Sequence, residues 1–128
     1  MDAAAPEPGI ESSASADRPE VPVAKALFVR LTAKSGEGDA VERFLRDALE
    51  AVMEEEDTTT WYAVRFGHHD FAIFDTFPGN KGRLAHLAGK VGRGLIAHTP
   101  DLLEGLPRIE HAQVLAYKLP GDGRQVDE

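Results

Sequence analysis

Residues Thr58 to Phe77 read TTTWYAVRFGHHDFAIFDTF. Two runs rich in β-branched and aromatic residues, Thr58–Phe66 and Phe71–Phe77, flank Gly67-His68-His69-Asp70. That pattern predicts an antiparallel hairpin. With Gly67 to Asp70 as the turn, Tyr62 pairs with Asp75 and Trp61 with Thr76. A turn one residue shorter changes the register and the faces with it.

The flanks extend the pattern. Upstream, Ala26 to Thr32 (ALFVRLT) is a short apolar run and reads as a buried strand. Lys34-Ser35-Gly36-Glu37-Gly38 is a loop, and Asp39 with Glu42 forms a capping box that opens a helix. Val41, Phe44, Leu45, Ala48, Leu49 and Val52 recur at helical spacing. Glu54-Glu55-Glu56-Asp57 opposes the macrodipole and ends the helix. Downstream, Pro78-Gly79-Asn80 breaks the strand. A second helical stripe follows: Leu84, Leu87, Ala88, Val91, Leu95. Gly89, Gly92 and Gly94 predict that this helix is broken. Leu102 to Pro107 connects to a long last strand, Ile109 to Leu119, ended by Pro120.

The order βαββαβ is the α+β, ferredoxin-like split βαβ: a four-stranded antiparallel sheet with its helices on one face. The uncovered face should then be polar. Instead Phe28 opposes Leu27, Val29 and Leu31, and Phe74 opposes Phe71 and Ile73. A second copy packed sheet to sheet, as a homodimer, is the simplest cover.

The chain has 128 residues, 42% of them hydrophobic, with a formal net charge of −8. Residues 1–25 hold four of the eight prolines and few large aliphatics, and read as a disordered tail. They have no basic n-region or apolar h-region, so no signal peptide is expected and a cytoplasmic location is. Residues 121–128 read as a flexible tail. The domain is 26–120, with a charge of −3. That acidity argues against nucleic acid as a partner, and no apolar run is long enough for a membrane span. With no Cys, thiolate catalysis and disulfides are excluded.

The run from Ala26 to Pro120 resembles the antibiotic biosynthesis monooxygenase family of dimeric α+β barrels. The residues that carry the resemblance are LTAKSGEGDAVERFL, the hairpin, and LAHLAG. The family's E-x-W or E-x-Y at the end of strand three reads Asp75-Thr76-Phe77, and its A-H-L-A-S reads Ala85-His86-Leu87-Ala88-Gly89. The resemblance implies cofactor-independent oxygenation of a phenolic or quinol-like small molecule. The haem-degrading branch places its iron-ligating His where this chain has His98. It has Trp where this chain has His86, and Asn where it has Arg30 or Thr32.

His98 continues the stripe of Val91 and Leu95 inward, and is expected to face an internal cavity as a catalytic base; the alternative is a His packed at a helix end. Trp61, Ala63 and Arg65 share a strand face. An aromatic wall and a cation would bind a planar phenolic substrate, or Trp61 is core and Arg65 an ion-paired surface residue. Tyr62 and Asp75 would form an acid–base pair, with Tyr117 adding a hydroxyl, or be satisfied interior polar groups. His86, roughly opposite Leu84, reads as a surface or dimer-contact residue that the family pattern makes a substrate-binding candidate. His68-His69-Asp70 has ligand chemistry but adjacent turn residues diverge, so no metal site is expected. His111 reads as an ordinary strand residue. No nucleotide, flavin or nicotinamide motif occurs, and no cofactor is expected. The alternatives to an oxygenase are a non-catalytic dimeric binding module and a haem-binding protein.

Overall fold

A computed structural model describes residues 21–126. The elements are β1 (Lys25–Thr32), α1 (Gly38–Met53), β2 (Thr60–Arg65), β3 (Asp70–Phe77), α2 (Asn80–Leu87), α3 (Lys90–Leu102), β4 (Arg108–Gln113), β5 (Ala116–Leu119) and β6 (Asp122–Gln125). The first four strands form an antiparallel sheet in the order β2-β3-β1-β4. The helices pack on one face of it. This is the α+β, ferredoxin-like arrangement that the hairpin and its flanks predict.

Leu27, Val29 and Leu31 of β1 and Phe71 and Ile73 of β3 are buried beneath the helices. All but Leu27 form one cluster with Val41 and Leu45 of α1, Leu95 of α3 and Leu103. Ala48 and Val52 continue the α1 stripe against Val91 of α3. The predicted spacing therefore holds, except that Leu49 lies half-exposed at the edge of the stripe.

The opposite sheet face is open. Phe28 is part-buried, whereas Tyr62, Val64, Phe66 and Phe74 are exposed. The Arg30 guanidinium lies over the Phe28 and Phe66 rings.

Several local expectations are corrected. Asp39 does not cap α1: Glu37 holds the cap position with no side-chain bond. Asp39 and Glu42 instead bind Arg65, at 3.1 and 2.6 Å. The hairpin register is shifted by one, with Trp61 opposite Asp75 and Tyr62 opposite Phe74. The turn is shorter than expected, because Phe66 already bonds to Asp70. The long last strand breaks at Val114–Leu115, and the tail from Gly121 contains β6, paired with β5 in a separate hairpin. Of the 1–25 tail, residues 1–20 lie outside the described residues. Val23 is buried at 2% exposure, Ala24 bonds to Phe77 and accepts a bond from Val114, and Lys25 begins β1.

The helix break falls where the glycines place it, at Ala88–Gly89. Gly92 is required there. A Cβ on it would stand 2.2 Å from the Leu87 carbonyl oxygen, so α2 and α3 meet only without a side chain.

Candidate active site

Asp75 is wholly buried near the C-terminal end of β3. The side chains of β3 alternate, so Asp75 falls on the helix-facing side with Phe71, Ile73 and Phe77. An acid at such a position demands a partner. That partner is His86 of α2. Its Nε2 stands 2.9 Å from Asp75 Oδ2, although not aligned as a hydrogen bond. No donor among the described residues forms a hydrogen bond to either Asp75 oxygen.

The other imidazole nitrogen is also engaged. His86 Nδ1 lies 2.5 Å from Glu55 Oε1, which also accepts the Thr58 hydroxyl at 2.7 Å. Glu55 sits just beyond α1, where it opposes the helix macrodipole. An imidazole offsets that acidic terminus. Gly82, one turn before His86, lets α2 approach: a Cβ there would meet Asp57 Cβ at 2.7 Å. The Phe77 ring packs at 5.4 Å from the imidazole.

Burial pushes the Asp75 carboxyl above its usual range. His86 opposes that shift and the like charge of Glu55 adds to it. For His86, burial pulls the other way, but contacts with Asp75 and Glu55 outweigh it and hold the ring above its ordinary value. Three groups therefore compete for protons in one buried cluster.

Asp75 and His86 line a cavity of about 70 Å³ between the sheet and helices α2 and α3. Its other walls are largely apolar, among them Val29, Ile73, Leu87, Leu95 and Ile109. An acid–base pair facing a small, largely apolar space can take or return a proton with little competition from water.

The remaining expected site residues lie apart from this cluster. His98 is exposed and packs edge-on against Phe44, with ring centroids 5.3 Å apart. The break resets the phase of α3, so its buried positions are Val91, Leu95 and Thr99, and His98 precedes the stripe by one residue. The expectation of an inward-facing His98 is thereby corrected. Leu84, read as core, is 61% exposed, and His86 takes the buried phase that it was expected to face away from. Tyr62 is on the open sheet face, away from Asp75. Tyr117 bonds to Asp122 in the terminal hairpin. His111 is exposed on β4.

Trp61, Ala63 and Arg65 do share a face. They line a groove of about 310 Å³ between α1 and β2. Trp61 is partly buried against both core clusters, and its indole N–H has no acceptor among the described residues. Arg65 is committed: beyond Asp39 and Glu42, it donates to the Gly67 and His68 carbonyls. It ties the hairpin turn to α1 rather than awaiting an oxyanion. Among the described residues no group of His, Asp and Glu is arranged to hold a metal ion, and no helix is long and apolar enough to cross a membrane.

Glu55 is the member of the cluster that reading the sequence for motifs missed. The signal was the four-acid run at the helix end, which needs a counter-charge nearby.

No protein-family model and no curated protein matches the chain. Solved structures do. NE2512 from Nitrosomonas europaea, a protein of unknown function, is 44% identical over 77% of this chain and 95% of its own, with a TM-score of 0.75. A second N. europaea protein, whose name gives antibiotic biosynthesis monooxygenase as a provisional assignment, is 12% identical over 70% of this chain and 88% of its own, at 0.63. One from Chloroflexus aurantiacus with the same name is 15% identical over 70% and 91%, at 0.56. At that identity the likeness is one of fold.

Proposed function

Because the chain belongs to the family of the Nitrosomonas europaea protein NE2512, whose function is unknown, we propose its activity from its own site: cofactor-independent monooxygenation of a small phenolic or quinol-type molecule held against Asp75 and His86. One observation carries the reading. A wholly buried carboxylate faces an apolar cavity with an oxygen that no donor among the described residues satisfies. An unsatisfied buried acceptor is costly, and a substrate hydroxyl would satisfy it.

The raised carboxyl of Asp75 is suited to accept that hydroxyl's proton, with His86 as its partner. The resulting phenolate is a stronger reductant, so the substrate itself supplies electrons to O2. For an anthrone-type substrate the balance is CH2 plus O2 giving C=O plus H2O. Trp61 stands opposite Asp75 in the hairpin register, on the same sheet face. The shared fold with proteins named antibiotic biosynthesis monooxygenases supports the reading by analogy of fold.

The active species in this reading is a homodimer. Tyr62, Val64, Phe66 and Phe74 form an exposed apolar patch that a second copy would cover sheet to sheet.

Oxygen uptake with a dihydroxyanthracene-type or quinol substrate tests the proposal. Turnover that disappears in Asp75→Asn supports it. Binding without oxygen uptake makes the protein a binding module, and neither binding nor uptake overturns the reading of the cavity.

A further inference from the structure

Glu55 is held in place by two neighbours. It stands just beyond α1, and its Oε1 accepts the Thr58 hydroxyl at 2.7 Å. Its Oε2 lies beside Gly89, the N-cap of α3, where a Cβ would meet it at 3.4 Å. The positive end of the α3 dipole favours an anion there. From this clamp Oε1 reaches Nδ1 of His86 at 2.5 Å. Nε2, on the far side of the ring, faces Asp75 at 2.9 Å without the alignment of a hydrogen bond. Asp75 lines the cavity, whereas Glu55 is absent from its walls. We propose that Glu55 is a positioning residue: it keeps a proton on Nδ1 and so confines the acid–base chemistry of His86 to Nε2, the nitrogen on the side of Asp75 and the cavity.

A neutral imidazole carries one N–H, and the bond made by one nitrogen decides what the other can do. A carboxylate only accepts, so the contact with Glu55 makes Nδ1 the donor. Two carboxylates flank the ring, and among the described residues they are the titratable groups in ionic contact with it. Of the two, Glu55 is the one aligned to take the hydrogen bond, and a short charge-assisted bond outweighs a misaligned contact. Nε2 is then the acceptor of the neutral ring and the second donor of the charged one. Without Glu55 the order would reverse. A neutral histidine in water prefers the Nε2–H form, and the Asp75 carboxylate would reinforce that preference. The ring would then aim a donor at Asp75 and turn its lone pair, at Nδ1, away from the cavity. The Phe77 ring, 5.4 Å from the imidazole, offers no competing acceptor.

The use of this arrangement in catalysis rests on the acid–base reading of the cavity, but the tautomer can be measured without a substrate. In protein labelled with ¹⁵N-histidine, NMR separates the protonated from the bare nitrogen of a neutral ring, and the His86 signals are those missing from His86→Gln. At a pH where the ring is neutral, the unaltered protein should show His86 as Nδ1–H. Glu55→Leu, which fills the space without an acceptor, should move the ring to Nε2–H. Glu55→Gln, which keeps an acceptor oxygen, should retain Nδ1–H. Nε2–H as the major form in the unaltered protein, a measurement that needs no variant, overturns the proposal. So does Nδ1–H in Glu55→Leu, or the same tautomer in both variants. If the unaltered protein consumes oxygen with a quinol substrate, an undiminished kcat in Glu55→Leu overturns it as well. Nδ1–H that depends on Glu55, with no oxygen uptake, would leave the positioning role standing and remove the oxygenase.

Discussion

The imidazole of His86 stands 2.9 Å from the carboxylate of Asp75 across the gap between α2 and β3, and both groups are buried. Neither element alone creates the pair. The acid comes from strand alternation, and the base from a two-turn helix that glycine lets approach.

Asp75→Asn should lower turnover roughly 10²–10⁴-fold, the usual contribution of a positioned acid or base, with the fold intact. The carboxamide keeps the shape and removes the exchangeable charge. Steady-state oxygen uptake beside a circular dichroism spectrum checks both halves.

Stability should fall as pH rises through the neutral-to-alkaline range. His86 is held above 6.5 in the folded protein, so the folded state binds that proton more tightly than the unfolded chain does. Its contribution is complete below pH 6.5 and is lost as pH climbs through the raised value. The raised Asp75 carboxyl acts in the same direction from 3.8 upward. Urea unfolding at pH 6 and pH 9 should show the decline, and His86→Gln should flatten it. A rise over that interval would show that the neutral ring is the favoured form.

His98→Ala should leave turnover within about twofold and cost no more than about 1 kcal/mol, since it removes one exposed edge-on contact with Phe44. A large loss of activity with the fold intact would return His98 to the reaction.

Val23 should matter where the residues before it do not. Removing residues 1–20 should leave the melting temperature within about 5 °C, as their composition leads one to expect. Val23→Ala should cost about 1–3 kcal/mol, because the side chain is 2% exposed. Calorimetry of the two variants separates a tail from an anchor.

Phe74→Glu should yield monomer if the open sheet face is the contact between copies. The residue is 40% exposed at the centre of that face, so a charge there burdens the interface and not the core. Sedimentation velocity at micromolar concentration reads the outcome, and a variant that still associates would move the contact elsewhere.

The fold was legible because its signals were long and consistent. The hairpin composition, the α1 stripe and the glycine break each led to the observed element. The site was less legible, for two physical reasons. A register shift of one residue decides whether Tyr62 or Trp61 faces Asp75, and no local propensity sets that choice. The phase of a helix restarts at a break. The sequence spacing therefore predicts Leu84 inside and His86 at the surface, and tertiary packing reverses both. The A-H-L-A-S resemblance nonetheless kept His86 among the candidates. Glu55 belongs to a run that local rules explain fully as a helix stop, so its second role appears only in three dimensions.

The interruption at Ala88–Gly89 divides the wall of the cavity into two plates. The short plate, α2, carries the imidazole; the long one, α3, contributes Val91, Leu95 and Ile96 to the lining. Exchanging those three aliphatic residues would resize the chamber without shifting His86 relative to Asp75. Gly92, fixed by its contact with α2, is the point at which the two plates cannot drift apart in sequence. The size of the chamber and the position of the buried pair can therefore be altered independently.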